Sequence, residues 1–215
     1  MKELATEKFK TIGGDLCLDF VNTVSGRVPT GDAKDIAGYT IIRDKFLSYV
    51  DLLSWGKKVL LLSDEEIGIL LKLAGKDGKS ANTVVRRAAR LREALYRTFK
   101  SVVEGFDPGE NDLTILNDEL LAGRKHEHLD LTDKRFELRF AEVERSLDSL
   151  LWFVSRSAAA LLASEDLRKV RQCPGDECWW LFLDESRNHN RQWCDMRECG
   201  NRAKVRRFRA AKRAH

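Results

Sequence analysis

The sequence predicts an α+β fold: a mainly helical N-terminal body carrying a β-hairpin, then a small C-terminal module with four cysteines and a basic helix. Three observations predict it. Apolar residues recur at helical spacing through most of the first 165 positions. One stretch, 128–140, changes to alternation. Four of the five cysteines fall within positions 173–199.

Residues 15–24, DLCLDFVNTV, form a short apolar run that fits either a strand or a helical turn. Positions 25–41, with Gly26, Pro29, Gly31 and Gly38, read as a loop. Phe46, Leu47, Val50 and Leu53 then repeat at helical spacing, and Gly56 is a plausible stop. Ser63 and Glu66 match a capping box, opening a helix that buries Ile67, Leu70, Leu71 and Ala74. Residues 80–104 form the next helix. Val84, Ala88, Leu91, Leu95 and Val102 make its stripe, and the intervening arginines are expected to face water. A shorter helix follows around Leu113, Leu116 and Leu120. Leu129 and Leu131, then Phe136, Leu138 and Phe140, alternate with polar residues about the turn Thr132-Asp133-Lys134, which predicts a hairpin. The longest helix is expected next, with Val143, Leu147, Leu150, Leu151, Val154, Ala158, Leu161 and Leu162 on one face. The predicted boundary divides residues 1–167 from 168–215. No Gly/Ser linker separates them, so the module should pack on the body, although the body's stripes suggest that it folds alone.

At 43% hydrophobic and 33% charged, the 215-residue chain has the apolar content for a core, with most charges left at the surface. The net charge of +4 conceals an asymmetry. From Arg168 to His215 there are 13 Lys+Arg against 6 Asp+Glu, a surplus of +7, so the first 167 residues carry −3. An acidic body with a basic end points to a polyanionic partner. No basic start followed by an apolar run suggests a signal peptide, and no stretch nears the roughly 18 apolar residues of a membrane span. A cytoplasmic protein with no membrane partner is expected. There, clustered cysteines hold metal more often than they form disulfides. Cys17 stands apart and reads as a small buried apolar residue.

The cysteines are spaced Cys173-x4-Cys178-x15-Cys194-x4-Cys199. Two close pairs, with about 15 residues returning the chain, are what a tetrahedral ion requires. Pro174 and Gly175 suit the sharp turn of the first pair. Four thiolates leave no open coordination position, so one structural Zn²⁺ per chain is expected. His189 and His215 are spare imidazoles. Trp179–Leu183 has strand character. Residues 200–213, GNRAKVRRFRAAKR, contain seven Lys/Arg and no acid. On a helix, Arg202, Arg206, Arg209 and Arg213 form one stripe, flanked by Lys204 and Arg207, while Val205 and Phe208 could dock on the module. These six basic residues are candidate nucleic-acid contacts, because guanidiniums bind phosphate bidentately and read guanine.

The segment WCDMRECGNRAKVRRFRA, preceded by WLFLDESRN, resembles the CGNR zinc finger, with the literal motif at Cys199-Gly200-Asn201-Arg202. DLCLDFVNTV resembles the opening of the ABATE domain that usually precedes that finger in bacterial proteins. The resemblance implies the four cysteines as ligands and marks Ser186, Arg187, Asn188, Asn201 and Arg202 as motif positions. It further implies a stress-responsive transcription regulator that binds DNA. Ser186 or Asn188 could instead cap a turn, and Asn201 could tie the knuckle backbone. Asp19 and Asn22 are candidates for contacting a small-molecule effector, though capping or turn roles suit them better.

The leading expectation is therefore a DNA-binding regulator whose body senses an effector or associates as a homodimer. RNA is the alternative partner, favoured if aromatic residues such as Trp179, Trp180 and Trp193 lie exposed beside the basic stripe. No P-loop, GxSxG, HExxH or dinucleotide fingerprint supports an enzyme.

Overall fold

The computed structural model describes residues 4–30 and 38–213. Positions 31–37 of the expected loop, with Gly31, and the spare imidazole of His215 lie outside the described residues. The short run near the N-terminus is helix α1 (Leu16–Val21). Asp15 decides this: its carboxylate accepts from Cys17 N and so caps the turn. Cys17 is buried as expected, and burial pushes its thiol pKa well up. The segment expected to be a loop instead contains two short strands, β1 (Arg27–Pro29) and β2 (Tyr39–Ile41), paired antiparallel with Val28 opposite Thr40. Its glycines hid the pairing, which is stabilised by Tyr39 packing edge-on against Tyr96 at 4.8 Å.

Helix α2 (Tyr49–Lys58) starts later than its apolar spacing predicts, because Ser48 is its cap. Leu47 consequently lies outside it and is exposed. Gly56 does not stop this helix. Leu150 occupies the space where a Cβ would lie, 2.8 Å from Cδ2, so glycine here permits close helix packing. The Ser63/Glu66 capping box opens α3 (Asp64–Lys76). The longest helix is α4 (Gly78–Glu104), which ends at Gly105 in the left-handed region. Next come α5 (Glu110–Arg124) and the hairpin β3 (Glu127–Thr132) with β4 (Arg135–Phe140). Asp133 and Lys134 both have positive φ, as a two-residue hairpin turn matching strand twist requires. The helix expected to be longest, α6, runs only from Ser149 to Leu162, because Val143–Arg145 forms a separate 3-10 turn. No helix is long and apolar enough to cross a membrane among the described residues.

Phe20, Trp55, Leu70, Leu91, Phe99, Leu151 and Val154 lie in the buried centre where α1 to α6 meet. One expectation about α4 fails there. Arg92 does not face water but is fully buried, donating both Nη1 and Nη2 to the Asp44 carboxylate at 2.7 Å and Nε to Glu93 at 2.7 Å. Arg27 is also fully buried. It donates to Glu93 and Val21 O and stacks 3.8 Å from the Tyr96 ring. Burial alone would raise the Glu93 pKa, but Arg27 and Arg92 outweigh it and hold the carboxyl below its usual range.

The C-terminal segment adds β5 (Val170–Gln172) and β6 (Leu181–Leu183), an antiparallel pair whose Val170, Leu181 and Leu183 belong to the same core as the helices. Asn22 clamps β6: its Nδ2 donates to Leu181 O at 2.7 Å, and its Oδ1 accepts from Leu181 N at 3.0 Å. Gly13 O accepts from Leu183 N, while Asp19 Oδ1 accepts from Gly13 N at 2.8 Å. Asn22 and Asp19 thus hold chain to chain rather than facing an effector site. Both Asn22 polar atoms are used inside the core, and those of Asp19 hold a backbone turn.

The shared core changes the expectation that residues 1–167 fold alone. A chain ending at Leu167 loses both partners of the Asn22 amide and exposes to water the apolar groove filled by Leu181 and Leu183. Its thermal transition, followed by circular dichroism, should be broad or absent; a sharp transition at the full-length midpoint would contradict this. Burial raises the Asp19 pKa to about 6, despite hydrogen bonds from Gly13 and Ile12 backbone that favour the charge. Between the ordinary carboxylate value and about 6 the folded chain therefore binds the extra proton, so this group's contribution falls as pH rises through that window. Asp19→Asn should gain on the wild type by about 2 kcal/mol between pH 4 and pH 7 in denaturant titrations.

Candidate metal centre and basic helix

Two tight turns build the cysteine cluster. In the first, Cys178 N donates to Gly175 O at 2.9 Å. A Cβ on Gly175 would meet Cys178 Cβ at a tight 3.1 Å and reach van der Waals contact with the sulfurs of Cys199 and Cys173 at 3.6 and 3.7 Å, so this turn lies directly against the cluster. The second is a wide turn over Met196–Gly200, capped by Asp195, whose carboxylate accepts from Arg197 N. The Met196 thioether lies over Gly200, with Sδ 2.4 Å from where a Cβ would stand.

These turns bring the sulfurs of Cys173, Cys178, Cys194 and Cys199 within 4.8 Å of one another, all buried. Cys178 to Cys194 is 3.5 Å and Cys194 to Cys199 is 3.6 Å. A tetrahedron of thiolates about 2.3 Å from zinc has edges of about 3.8 Å, so the set fits the ion. The thiols titrate against one another. Hydrogen bonding from Cys178 and Cys194 pulls Cys173 far below the usual thiol range, and the same contacts push Cys178 and Cys194 up. A cation placed between the four sulfurs would favour the thiolate form of them all. The cluster holds one Zn²⁺, with no coordination position left for substrate, so the ion's role is structural.

The cluster is joined to the body through the first turn. Arg27 N donates to Cys178 O at 3.2 Å, and a Cβ on Gly26 would lie 1.9 Å from Glu177 O, so only glycine allows this approach. Between the cysteine pairs, two residues that the spacing did not single out order the loop. Asp184 is fully buried and accepts from Ser186 N and Arg191 N. Arg191 lies 4.3 Å over Phe182 and donates to the carbonyls of Leu183, Trp193, Cys194 and Ile12. Ser186 takes a turn role, while Arg187 and Asn188 are exposed. His189 Nδ1 is 3.1 Å from Asp184 O, outside the ligand set. Asn201 Nδ2 donates to Arg197 O at 3.0 Å and ties the second turn.

Helix α7 (Asn201–Arg213) leaves directly from that turn, and Ala203 is its only buried residue. Val205 and Phe208 do not dock on the module: they are 46% and 71% exposed, because the smaller Ala203 makes the contact. The basic residues fall into two sets. Arg202 Nη2 donates to Cys199 Sγ at 3.7 Å, and Arg206 pairs with Asp176 of the first turn. Lys204, Arg207, Arg209, Lys212 and Arg213 make no ion pair among the described residues, and all are exposed. The sequence could not distinguish tethered from untethered arginines, because Asp176 is thirty residues from Arg206.

Protein purified without chelators should contain one equivalent of zinc per chain, and Cys194→Ser should lose it. Chelation should lower the thermal midpoint of the whole chain, because the cluster and body share packed residues. Zinc below half an equivalent in the wild type, or retained by Cys194→Ser, would contradict the assignment.

Residues 14–165 match the ABATE family, described as "putative stress-induced transcription regulator", and residues 169–212 match the CGNR zinc finger. The first description is of a regulator, the second of a metal-binding module. No curated protein matches the chain significantly. The first match spans well over half of the chain, so the chain belongs to the ABATE family and ends in a CGNR zinc finger.

Proposed function

We propose that this is a DNA-binding regulator of transcription acting in the cytoplasm, and that α7 is the element that meets the duplex. The observation that carries this reading is the state of that helix. It starts at a rigid metal cluster, buries only Ala203, and offers seven Lys/Arg with no acid between positions 200 and 213. A helix fixed at one end loses little further freedom on entering a groove. Arg202 and Arg206 hold it to the cluster, leaving Lys204, Arg207, Arg209 and Arg213 for phosphates. The tethered pair makes the metal site part of the recognition geometry.

A specific observation supports RNA as the second reading. Phe208 is exposed among the basic side chains, where a base could stack on it. Trp180 is buried, and Trp179 and Trp193 pack partly against the core clusters, so they are poorer platforms.

A duplex selected from random sequence should bind with a log–log salt slope of roughly −3 to −4 if four phosphates are neutralised. Replacing Lys204, Arg207, Arg209 and Arg213 together by alanine should flatten that slope and abolish binding while zinc stays bound. Arg206→Ala alone should alter zinc retention more than the slope. Unchanged duplex binding by the quadruple variant would reject α7 as the interface. Enrichment of single-stranded RNA over every duplex, weakened by Phe208→Ala, would replace the first reading by the second.

A further inference from the structure

An open groove of about 240 Å³ lies between the base of the hairpin and the helices α5 and α6. Its apolar lining comes from Leu120 of α5, Leu138 and Phe140 of β4, and Trp152, Ala159 and Ala160 of α6. The helices approach closely at one end, where a Cβ on Gly123 would lie 3.0 Å from Trp152 Cβ. Further along α6 the short side chains of Ala159 and Ala160 leave the space unfilled.

Arg124, Glu127 and Arg156 are the charged residues of the lining, two guanidiniums against one carboxylate. Arg156 offsets Glu127: its Nη1 donates to Glu127 Oε1 at 3.4 Å and to Leu138 O at 3.0 Å. Its guanidinium also stacks 4.4 Å from the centre of the Phe140 ring. These contacts hold the group in place yet use a single nitrogen. Nε and Nη2, one edge of the fork, donate to no acceptor among the described residues. Arg124 is exposed and makes no ion pair among them. The lining therefore carries one positive charge in excess beside an apolar floor.

We propose that this groove binds a small monocarboxylate with an apolar body, such as a medium-chain fatty acid. The free edge of Arg156 matches the two oxygens of a carboxylate, to which a guanidinium donates two parallel hydrogen bonds. Arg124 adds a second charge from the rim. The hydrocarbon body lies against Leu120, Trp152 and Ala159, where it leaves water. A single excess charge suits a monoanion better than a phosphate. The volume falls below the about 300–1,000 Å³ of pockets for drug-sized ligands, which limits the ligand to on the order of ten non-hydrogen atoms. This site is separate from Asp19 and Asn22, whose polar atoms hold the chain together. The inference does not depend on what α7 binds.

The experiment is equilibrium dialysis of the full zinc-loaded chain against octanoate, 3-phenylpropionate and octanamide, the neutral isostere of the first. At least one of the two acids should bind at one per chain, and octanamide at least tenfold more weakly than octanoate. Arg124 and Ala160 are exposed, so Arg124→Ala and Ala160→Leu should keep the wild-type circular dichroism and zinc content. Ala160→Leu, which fills the groove, should abolish binding, and Arg124→Ala should weaken it severalfold. Arg156→Lys keeps the charge but loses the paired donors, and should weaken the acids about tenfold while leaving octanamide unchanged. Binding of neither acid at millimolar concentration would overturn the proposal, and so would octanamide binding as tightly as octanoate. Undiminished binding by Ala160→Leu and Arg156→Lys would place the acid elsewhere on the chain, and would equally overturn it.

Discussion

Four sulfurs within 4.8 Å of one another fix four separate points of the C-terminal chain to a single ion, and the surrounding architecture follows from that closure. The 15 residues between Cys178 and Cys194 must leave and return. They do so through β6, which reaches into the body, and a polar loop ordered by Asp184 and Arg191. The last ligand also fixes where α7 begins, since Cys199 and Gly200 end the turn from which the helix departs. A segment this short cannot bury enough apolar surface to order itself, so the ion and the body share that task.

Arg27 joins the two parts most directly. Its backbone N–H donates to Cys178 O, while its guanidinium lies inside the body among Glu93, Val21, Tyr39 and Tyr96. Arg92 beside it is balanced by Asp44 and Glu93, so two buried cations face two carboxylates. Gln172 extends the network by donating to Tyr96 OH from β5. Such buried pairs add little net stability, because desolvation offsets their attraction, but removing one partner leaves an uncompensated charge. Their effect is to fix one register between β1, α4 and the zinc module, since any slip separates the charges.

The molecule thus offers two chemically opposite surfaces. One is a helix with hardly any buried side chain and a dense positive charge; the other is a hairpin face on which four large apolar side chains lie exposed, with Glu127 at its base paired to Arg156. Both violate the usual partition of a solvated surface, the first by unscreened like charge and the second by exposed apolar area. The net charge of −3 on the first 167 residues confines the chain's positive surplus to the C-terminal end.

Local chemistry was legible wherever a residue's partner lies nearby in sequence. The cysteine spacing determined the metal site, Ser63 with Glu66 determined a helix start, and alternation about Asp133-Lys134 determined the hairpin. The helical stripe of α4 was equally plain, whereas α5 buries Asp112, Leu116, Glu119 and Gly123 and leaves Leu113 of its expected stripe exposed. Features set by distant partners were not. Arg92 reads as a surface arginine until Asp44 is brought to it, and Asn22 reads as a turn or ligand residue until Leu181 is placed beside it. Gly56 reads as a helix stop until Leu150 fills the space of its missing side chain. The length of α6, the tethering of Arg202 and Arg206, and the exposure of Phe208 were likewise decided in three dimensions. By itself the sequence determined which residues bind metal, cap and turn, because those interactions close over a few residues or repeat at a fixed period. Only the tertiary structure decided which charges are buried and which stay free, because burial depends on contacts between residues far apart in the chain.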